Sequence, residues 1–423
     1  MKNLEGKKLL VLAGNYVHVK IVEAAKALGV YTIVTDYLPP EKSPAKLVAD
    51  EYWMLSTGDI DAIVAKCKEE HVDGVLTFCI DTIQFHYLHI CEKLGLPCYG
   101  TQRQFEIMTN KRLFKDFCAA NNVDVVPEYT LDDVNHDKVT YPVLVKPTDS
   151  RGSRGQTVCT KKEEISGAIK IAANESKDGG YLIERYMLGA HDIGLAYIII
   201  DSQPFLLKIS DRILGDKADK LDRQHMASIL PSIFTTDYVK NIEPNVFNMI
   251  KALGVNFGVV FLQGFYENGR IYMYDPGLRF PGSDFDIVLK EATGFDSMTS
   301  FVHFALTGDV SSMCGNPIKA YNYNGQICLI MTVAIRAGKI SSITGMDKIS
   351  SKEYVYSAEL WHNIGDVIES TGDVRQRAAE FCCLLPNRKA IPEFIKYVYN
   401  TLSITDENGK DMIISKLDTN KEY

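Results

Sequence analysis

Through the first hundred residues, short apolar runs alternate with amphipathic stretches. Residues 8–13 read as a strand, Gly14-Asn15 turns the chain, and 19–28 carries apolar residues at helical spacing up to a C-capping Gly29. The pattern repeats as a strand over 31–35 ending in Asp36, a helix over 61–70, a strand over 74–78, a helix over 83–94 and a short strand at 97–99. Such alternation predicts a parallel sheet covered on both faces.

Beyond it, 105–121 reads as a helix closed by Asn121-Asn122, and strands predominate over 125–183 around one helix at 162–173. Residues 194–306 form a larger α+β unit. Within it, two strands joined by Glu267-Asn268-Gly269 read as a hairpin. After 307 come strands such as 326–335, a helix near 372–381, another over 392–402, and a polar tail of about twenty residues expected to be a turn and a frayed end. The chain is thus α/β in its first part and α+β afterwards, with no internal repeat. Its 423 residues predict two to four packed units.

Composition narrows the classes. Hydrophobic residues make up 46% and charged residues 24%, as in an ordinary globular protein. A net charge of -8 without a Lys/Arg cluster argues against nucleic acid as a partner. The amino terminus reads as a polar lead-in to a strand rather than a signal peptide, and no apolar run is long enough for a membrane helix. The ten cysteines include no C-x-x-C pair and sit mostly in apolar runs, which fits free thiols in a reducing cytoplasm. His86 and His89 lie at i, i+3 but lack a third ligand, so a helix pair is the expected reading.

Chemistry concentrates in three passages. Lys146 ends the apolar strand Tyr141-Pro-Val-Leu-Val-Lys146 and precedes a loop containing Ser150, Gly152, Ser153 and Gly155. A cation at a fixed place and a loop with exposed N–H groups suit phosphate oxygens; a surface hairpin with an exposed lysine is the plain alternative. Glu184, in Gly180-Tyr-Leu-Ile-Glu184-Arg-Tyr-Met187-Leu-Gly189, ends a strand whose backbone suits a flat base, although an ordinary strand end reads the same way. On the hairpin, Gln263 and Asp275 lie far from the turn and both can face one site. Oxygen ligands from neighbouring strands suit Mg²⁺, which binds phosphates as co-ligands, and Arg279 offers a cation to a transferring phosphoryl group. No Walker A loop or complete G-x-G-x-x-G is present.

In order and spacing these passages resemble the ATP-grasp superfamily, which includes carbamoyl-phosphate synthetase, biotin carboxylase, glycinamide ribonucleotide synthetase and amino-acid ligases. The resemblance covers about 8–305 and implies a pre-ATP-grasp parallel-sheet domain at 1–104 and an ATP-grasp domain at 105–308. A mobile lid at about 125–185 and a small strand-rich α+β domain at 309–423 complete the division. It implies an enzyme that uses ATP and Mg²⁺ (or Mn²⁺) to activate a small-molecule carboxylate as an acyl phosphate and join it to an amine, and it is compatible with a homodimer. Lys111, on the helix beginning Asn110-Lys111, and Lys146 would bind phosphates; Gly152 to Gly155 would cover them; Glu184 and Met187 would frame adenine; Asp192, beside an unexpected His191, would face the ribose. Gln263 and Asp275 would hold the metal, and Arg279 would be catalytic.

Two departures stand out. The family commonly reads E-x-N-P-R where this chain reads Asp275-Pro-Gly277-Leu-Arg279. Either the second metal is held more loosely, or Asp284 or Asp286 supplies an oxygen. Farther on, Arg375 and Arg377 suit closure over a substrate carboxylate, but read first as solvated helix charges. A purine-pathway ribonucleotide ligase, a bicarbonate-activating enzyme and a non-catalytic nucleotide sensor remain as competing readings.

Overall fold

The computed structural model describes residues 3–149, 154–215, 225–282, 285–371, 374–414 and 416–423. The N-terminal sheet contains β1 (Lys8–Leu12), β2 (Tyr31–Thr35), β3 (Glu51–Trp53) and β4 (Gly74–Leu76) in the order β3-β2-β1-β4, with every strand parallel to its neighbours. Its core positions, such as Leu9 to Leu12, are buried on both faces because α1 (Tyr16–Lys26), α3 (Ile60–Glu69) and α4 (Asp81–Leu94) flank it in the chain as β-α crossovers. Gly29 and Gly95 hold the left-handed backbone that ends α1 and α4.

A second, four-stranded sheet, β5 (Glu128–Tyr129), β6 (Val143–Pro147), β7 (Thr157–Cys159) and β8 (Tyr181–Arg185), runs β5-β8-β6-β7. The helix Ile165–Glu175 covers it through a separate core that includes Val143, Val145, Ala168 and Ile183. Its apolar core is separate from the two that serve the rest of the chain.

The third sheet dominates the molecule. It joins β9 (His191–Ile200), β10 (Gln203–Leu214), β11 (His225–Leu230), β12 (Gly258–Glu267), β13 (Arg270–Leu278), β14 (Ile327–Ile335), β16 (Val355–Leu360) and β18 (Arg377–Leu385) in the order β13-β12-β9-β10-β11-β14-β18-β16. Here β15 is Gly338–Thr344, β17 Val367–Ile368, β19 Ser403–Asp406 and β20 Ile413–Ile414; β20 adds to β14, while the other three form a small sheet. Neighbouring strands of the large sheet run antiparallel, so one face can be polar while the other packs apolar side chains. Asn268 and Gly269, both at positive φ, make the tight turn between β12 and β13.

Several expected elements differ. Residues 97–99 form no strand, because the Tyr99 N–H donates to the Tyr87 hydroxyl instead of a ladder. The helix expected at 105–121 is two, α5 (Gln102–Thr109) and α6 (Lys111–Ala120), since Asn110 is extended and its side chain accepts from the N–H groups of Arg112 and Leu113. The helix expected near 372–381 is a short 3-10 turn, Val374–Gln376, followed by β18. Burial between β14 and β16 overrides the helical propensity of Arg-Ala-Ala-Glu. The tail is tied down where Ile413 and Ile414 pair with β14. All ten cysteines are free, and among the described residues no helix is long and apolar enough to cross a membrane.

Candidate functional site

The four-stranded sheet β5–β8, α4, α6 and the polar face of the large sheet enclose a cavity of about 890 Å³. Lys111, Lys146, Glu184, Met187, Asp192, Gln263, Asp275 and Arg279 all line it. Sequence positions spread over 169 places (279 - 111 + 1) thus converge on one space.

The antiparallel register of β12 and β13 sets Gln263 opposite Asp275. Asp275 also meets Lys111 Nζ at 3.2 Å. The Lys111 N–H donates to the Thr148 carbonyl at 2.7 Å, which ties the start of α6 to the end of β6. Two side-chain oxygens on adjacent strands, with lysines beside them, form a hard donor set suited to a Mg²⁺–phosphate pair, in which water and phosphate complete the shell. No cluster of three or more His, Cys, Asp or Glu exists among the described residues, so a metal held by protein side chains alone does not fit.

Lys146 lies at the end of β6, almost fully buried, with Nζ 2.7 Å from Glu184. The other Glu184 oxygen takes Lys115 at 2.6 Å, and Lys115 also donates to the Val126 carbonyl. Burial pulls the Lys146 pKa down against the attraction of Glu184. Burial pushes Glu184 up, but Lys146 and Lys115 outweigh it and hold the carboxyl below its usual range. The Glu184 carboxylate is therefore a counter-ion between two lysines; the neighbouring chain, including Met187, provides the cavity wall.

Arg279 is clamped by Asp81, which contacts both Nε and Nη2, and its guanidinium lies over the Phe261 ring at 4.5 Å. Burial lowers its pKa, but Asp81 more than compensates and the net shift is upward. Phe261 also explains Gly277, its cross-strand partner: a Cβ at 277 would fall inside the Phe261 ring. The place that the ATP-grasp pattern fills with Asn is occupied by an aromatic ring.

Asp192 accepts from Arg212 at 2.7 Å and from the Tyr274 hydroxyl at 3.1 Å. Burial raises its pKa despite Arg212. His191 meets the buried Asp211 at 3.0 Å. Asp286 turns from the cavity to Lys20 at 2.7 Å. Gly155 has φ of 68° and no room for a Cβ beside Pro147 and Glu175. Ser150, Gly152, Ser153 and Asp284 lie outside the described residues.

Sequence reasoning missed Asp81, Arg212 and Tyr274. Only Asp81 had a signal, as an acid just beyond the carboxyl end of a strand in an open α/β sheet, where ligands gather.

The parallel sheet, the second four-stranded sheet and the large antiparallel sheet around this cavity define the ATP-grasp fold. Within that class, the family described as carbamoyl-phosphate synthase L chain, ATP binding domain, matches residues 110–280, and the chain, which has the ATP-grasp fold, is similar to biotin carboxylases and purine-pathway ligases. It is 25% identical over 252 residues to the 2-oxoglutarate carboxylase small subunit of Hydrogenobacter thermophilus, a match covering 54% of this chain and 52% of that one. It thus spans about half the length of that relative. With the formate-dependent phosphoribosylglycinamide formyltransferase of Methanocaldococcus jannaschii it shares 26% identity over 318 residues, 70% of this chain and 78% of that one. In structure it is similar to the L-amino acid ligase of Bacillus licheniformis, with a TM-score of 0.76 at 18% identity, covering 96% of this chain and 100% of that one.

Proposed function

We propose that the chain is an ATP-dependent ligase that activates a carboxylate as an acyl phosphate and joins it to an amine. The observation that carries this reading is the Gln263–Asp275 pair on the same cavity as Lys111, Lys146 and Arg279. In the first step a substrate carboxylate oxygen attacks the γ-phosphorus of ATP, the bond to the β,γ-bridging oxygen breaks, and ADP leaves. The amine then attacks the acyl carbon, loses a proton, and inorganic phosphate departs. Lys111 and Lys146 hold phosphate oxygens, Lys146 exchanging Glu184 for the nucleotide as its counter-charge. Arg279, fixed by Asp81, places positive charge where negative charge develops on the oxygens of the transferring phosphoryl group. Gln263 and Asp275 would hold Mg²⁺, which supplies charge neutralisation among the phosphates. The lid excludes water that would hydrolyse the acyl phosphate.

The division at 1–104, 105–308 and 309–423 belongs to this proposal, with the separate lid core as support. Free thiols support a reducing compartment, the cytoplasm, and the dimer named for the Hydrogenobacter thermophilus biotin carboxylase domain supports a homodimer. The test is ADP release from the full chain against pairs of carboxylates and amines, with Asp275→Asn alongside. Turnover in the wild type and a raised Mg²⁺ requirement or lost turnover in a normally folded variant are expected. Equal Mg²⁺ curves would sink the proposal.

A further inference from the structure

One wall of the nucleotide cavity comes from a distant part of the chain. The lining residues lie between Asp81 and Arg279, with the exception of Lys421. By its polarity the segment 416–423 reads as a frayed tail, yet it is docked. The Leu417 N–H donates to the Tyr399 hydroxyl at 2.9 Å, and the Leu417 side chain is buried in the core beneath β11, β14 and β18. The Asn420 N–H donates to Asp418 Oδ1 at 2.9 Å, and the Tyr423 hydroxyl donates to the Asp418 carbonyl at 2.8 Å. These bonds close a turn with Lys421 inside it, and Tyr423 packs on the same core.

That core also carries Ile213, a cavity residue on β10, so the segment reaches the cavity from the β10 side. The Gln263–Asp275 pair lies on the other side. Asp275 is on β13 and Gln263 on β12, and the order β13-β12-β9-β10 puts three strand spacings between β13 and β10. At about 4.8 Å each, these amount to roughly 14 Å. Lys111 meets Asp275 and therefore belongs to the far side as well. Phosphates held there leave the β10 end of the cavity to the sugar and the base. The walls at that end suit them. Because β9 pairs antiparallel with β10, with Ile193 opposite Asp211, the connection 186–190 runs beside the end of β10. Leu188 in that connection is 75% exposed and Leu214 is 37% exposed, and both line the cavity. Such apolar surface gains from being covered by a flat base.

Lys421 is exposed, with its ammonium 5.6 Å from the Tyr423 ring centroid. Four other cavity cations are already committed: Lys111 to Asp275, Lys146 to Glu184, Arg212 to Asp192 and Arg279 to Asp81. Lys421 has no carboxylate partner among the described residues. An ammonium offers three donors and no acceptor, so it can serve a ring nitrogen or a sugar oxygen as well as a phosphate. Its place at the β10 end decides between them. We propose that Lys421 binds the nucleoside part of the nucleotide, donating to an acceptor on the sugar or the base and not to the phosphates. This rests on the reading that the cavity holds ATP with its phosphates at Lys111 and Asp275; it does not require that the carboxylate and amine be joined.

The test is calorimetry on the full chain, wild type beside Lys421→Met and Lys421→Arg, with Mg-ATP, Mg-ADP, AMP and inorganic tripolyphosphate as ligands. Lys421→Met should weaken the three nucleotides by one common factor, about tenfold or ~1.4 kcal/mol, and leave tripolyphosphate binding and the melting temperature unchanged. Lys421→Arg, which keeps the charge and the donors, should restore most of the affinity. The analogue 2′,3′-dideoxy-ATP tells the two acceptors apart. An undiminished loss with it assigns the contact to the base, and no loss with it assigns the contact to the sugar. Nucleotide binding that depends on Lys421 without ADP release in any assay would keep this inference and remove the ligase reading. Equal nucleotide affinities in wild type and Lys421→Met overturn the inference alone. So does a loss that grows with the number of phosphates or extends to tripolyphosphate. A wild type that binds none of the nucleotides overturns both readings.

Discussion

Replacing Glu184 with Gln removes the charge at the centre of the nucleotide cavity while keeping the size of the side chain. Glu184 is only 2% exposed, and its two oxygens meet Lys115 at 2.6 Å and Lys146 at 2.7 Å. The amide leaves two buried ammonium groups without their common counter-ion. Removing one partner of a buried pair costs about 3–5 kcal/mol. Part of that is recovered as Lys146, already lowered by burial, sheds its proton more readily. A net loss of about 2–4 kcal/mol is expected, a large share of the ~5–15 kcal/mol typical of a folded domain. Urea unfolding at neutral pH, followed by circular dichroism, measures it. The sign with pH is fixed by the shift. Burial raises the Glu184 pKa, but the two lysines outweigh it and the folded value lies below the unfolded one. Its contribution is then fully present above the unfolded carboxyl value of about 4.3 and lost as pH falls through the folded value. The gap between wild type and variant should therefore close on acidification. Because phosphate can replace Glu184 as counter-charge, Mg-ATP should stabilise the variant more than the wild type. A variant within about 0.5 kcal/mol of wild type at neutral pH, or a gap that widens in acid, would refute the reasoning.

Lys146→Ala should leave the fold intact, since Lys115 still answers Glu184, and weaken Mg-ATP binding by about tenfold or more, ~1.4 kcal/mol; calorimetry showing unchanged affinity would count against a phosphate role. Gly277→Asn, which restores the family's residue, should destabilise the protein and lower activity because the new side chain meets the Phe261 ring. The pair Gly277→Asn with Phe261→Ala should recover stability relative to Gly277→Asn alone in thermal unfolding, and a purely additive loss would exclude the clash.

What could be read in advance depended on how local the determining contacts are. The hairpin was legible because Asn268-Gly269 marks its turn, but the facing of Gln263 and Asp275 was not, because a bulge between Gln263 and Gly264 shifts the register by one from what the turn alone would give. Lys146 was legible as a cation at the end of an apolar strand. Its bond to Glu184 was not, because it depends on β6 lying antiparallel to β8. The Arg279–Asp81 clamp joins residues 198 apart, and no pattern in either segment points to the other. Arg377 was misplaced on a helix because Arg-Gln-Arg-Ala-Ala-Glu favours one locally. Tertiary pairing with β14 makes it a strand and turns a nominally solvated charge toward the sheet face. Arg375, two residues earlier, stays exposed and only 3.9 Å from Glu369, much as a solvated charge would.

The departure from the family pattern at Gly277 and the position of Arg279 have one physical cause. Phe261 occupies the space above Gly277 and presents its ring to the Arg279 guanidinium at 4.5 Å. A guanidinium over an aromatic face gains from the ring quadrupole and loses side-chain freedom. With Asp81 gripping its nitrogens, Arg279 is held by both its plane and its edge. An Asn at 277 would offer an oxygen to a second metal but would displace the ring, and with it one of the supports of Arg279. The chain therefore exchanges a metal-ligating oxygen for a more firmly oriented cation. Held by Asp81 and by the ring, that cation is fixed before any nucleotide arrives. In electrostatic catalysis, a charge that need not reorganise during the reaction is worth more than one that must.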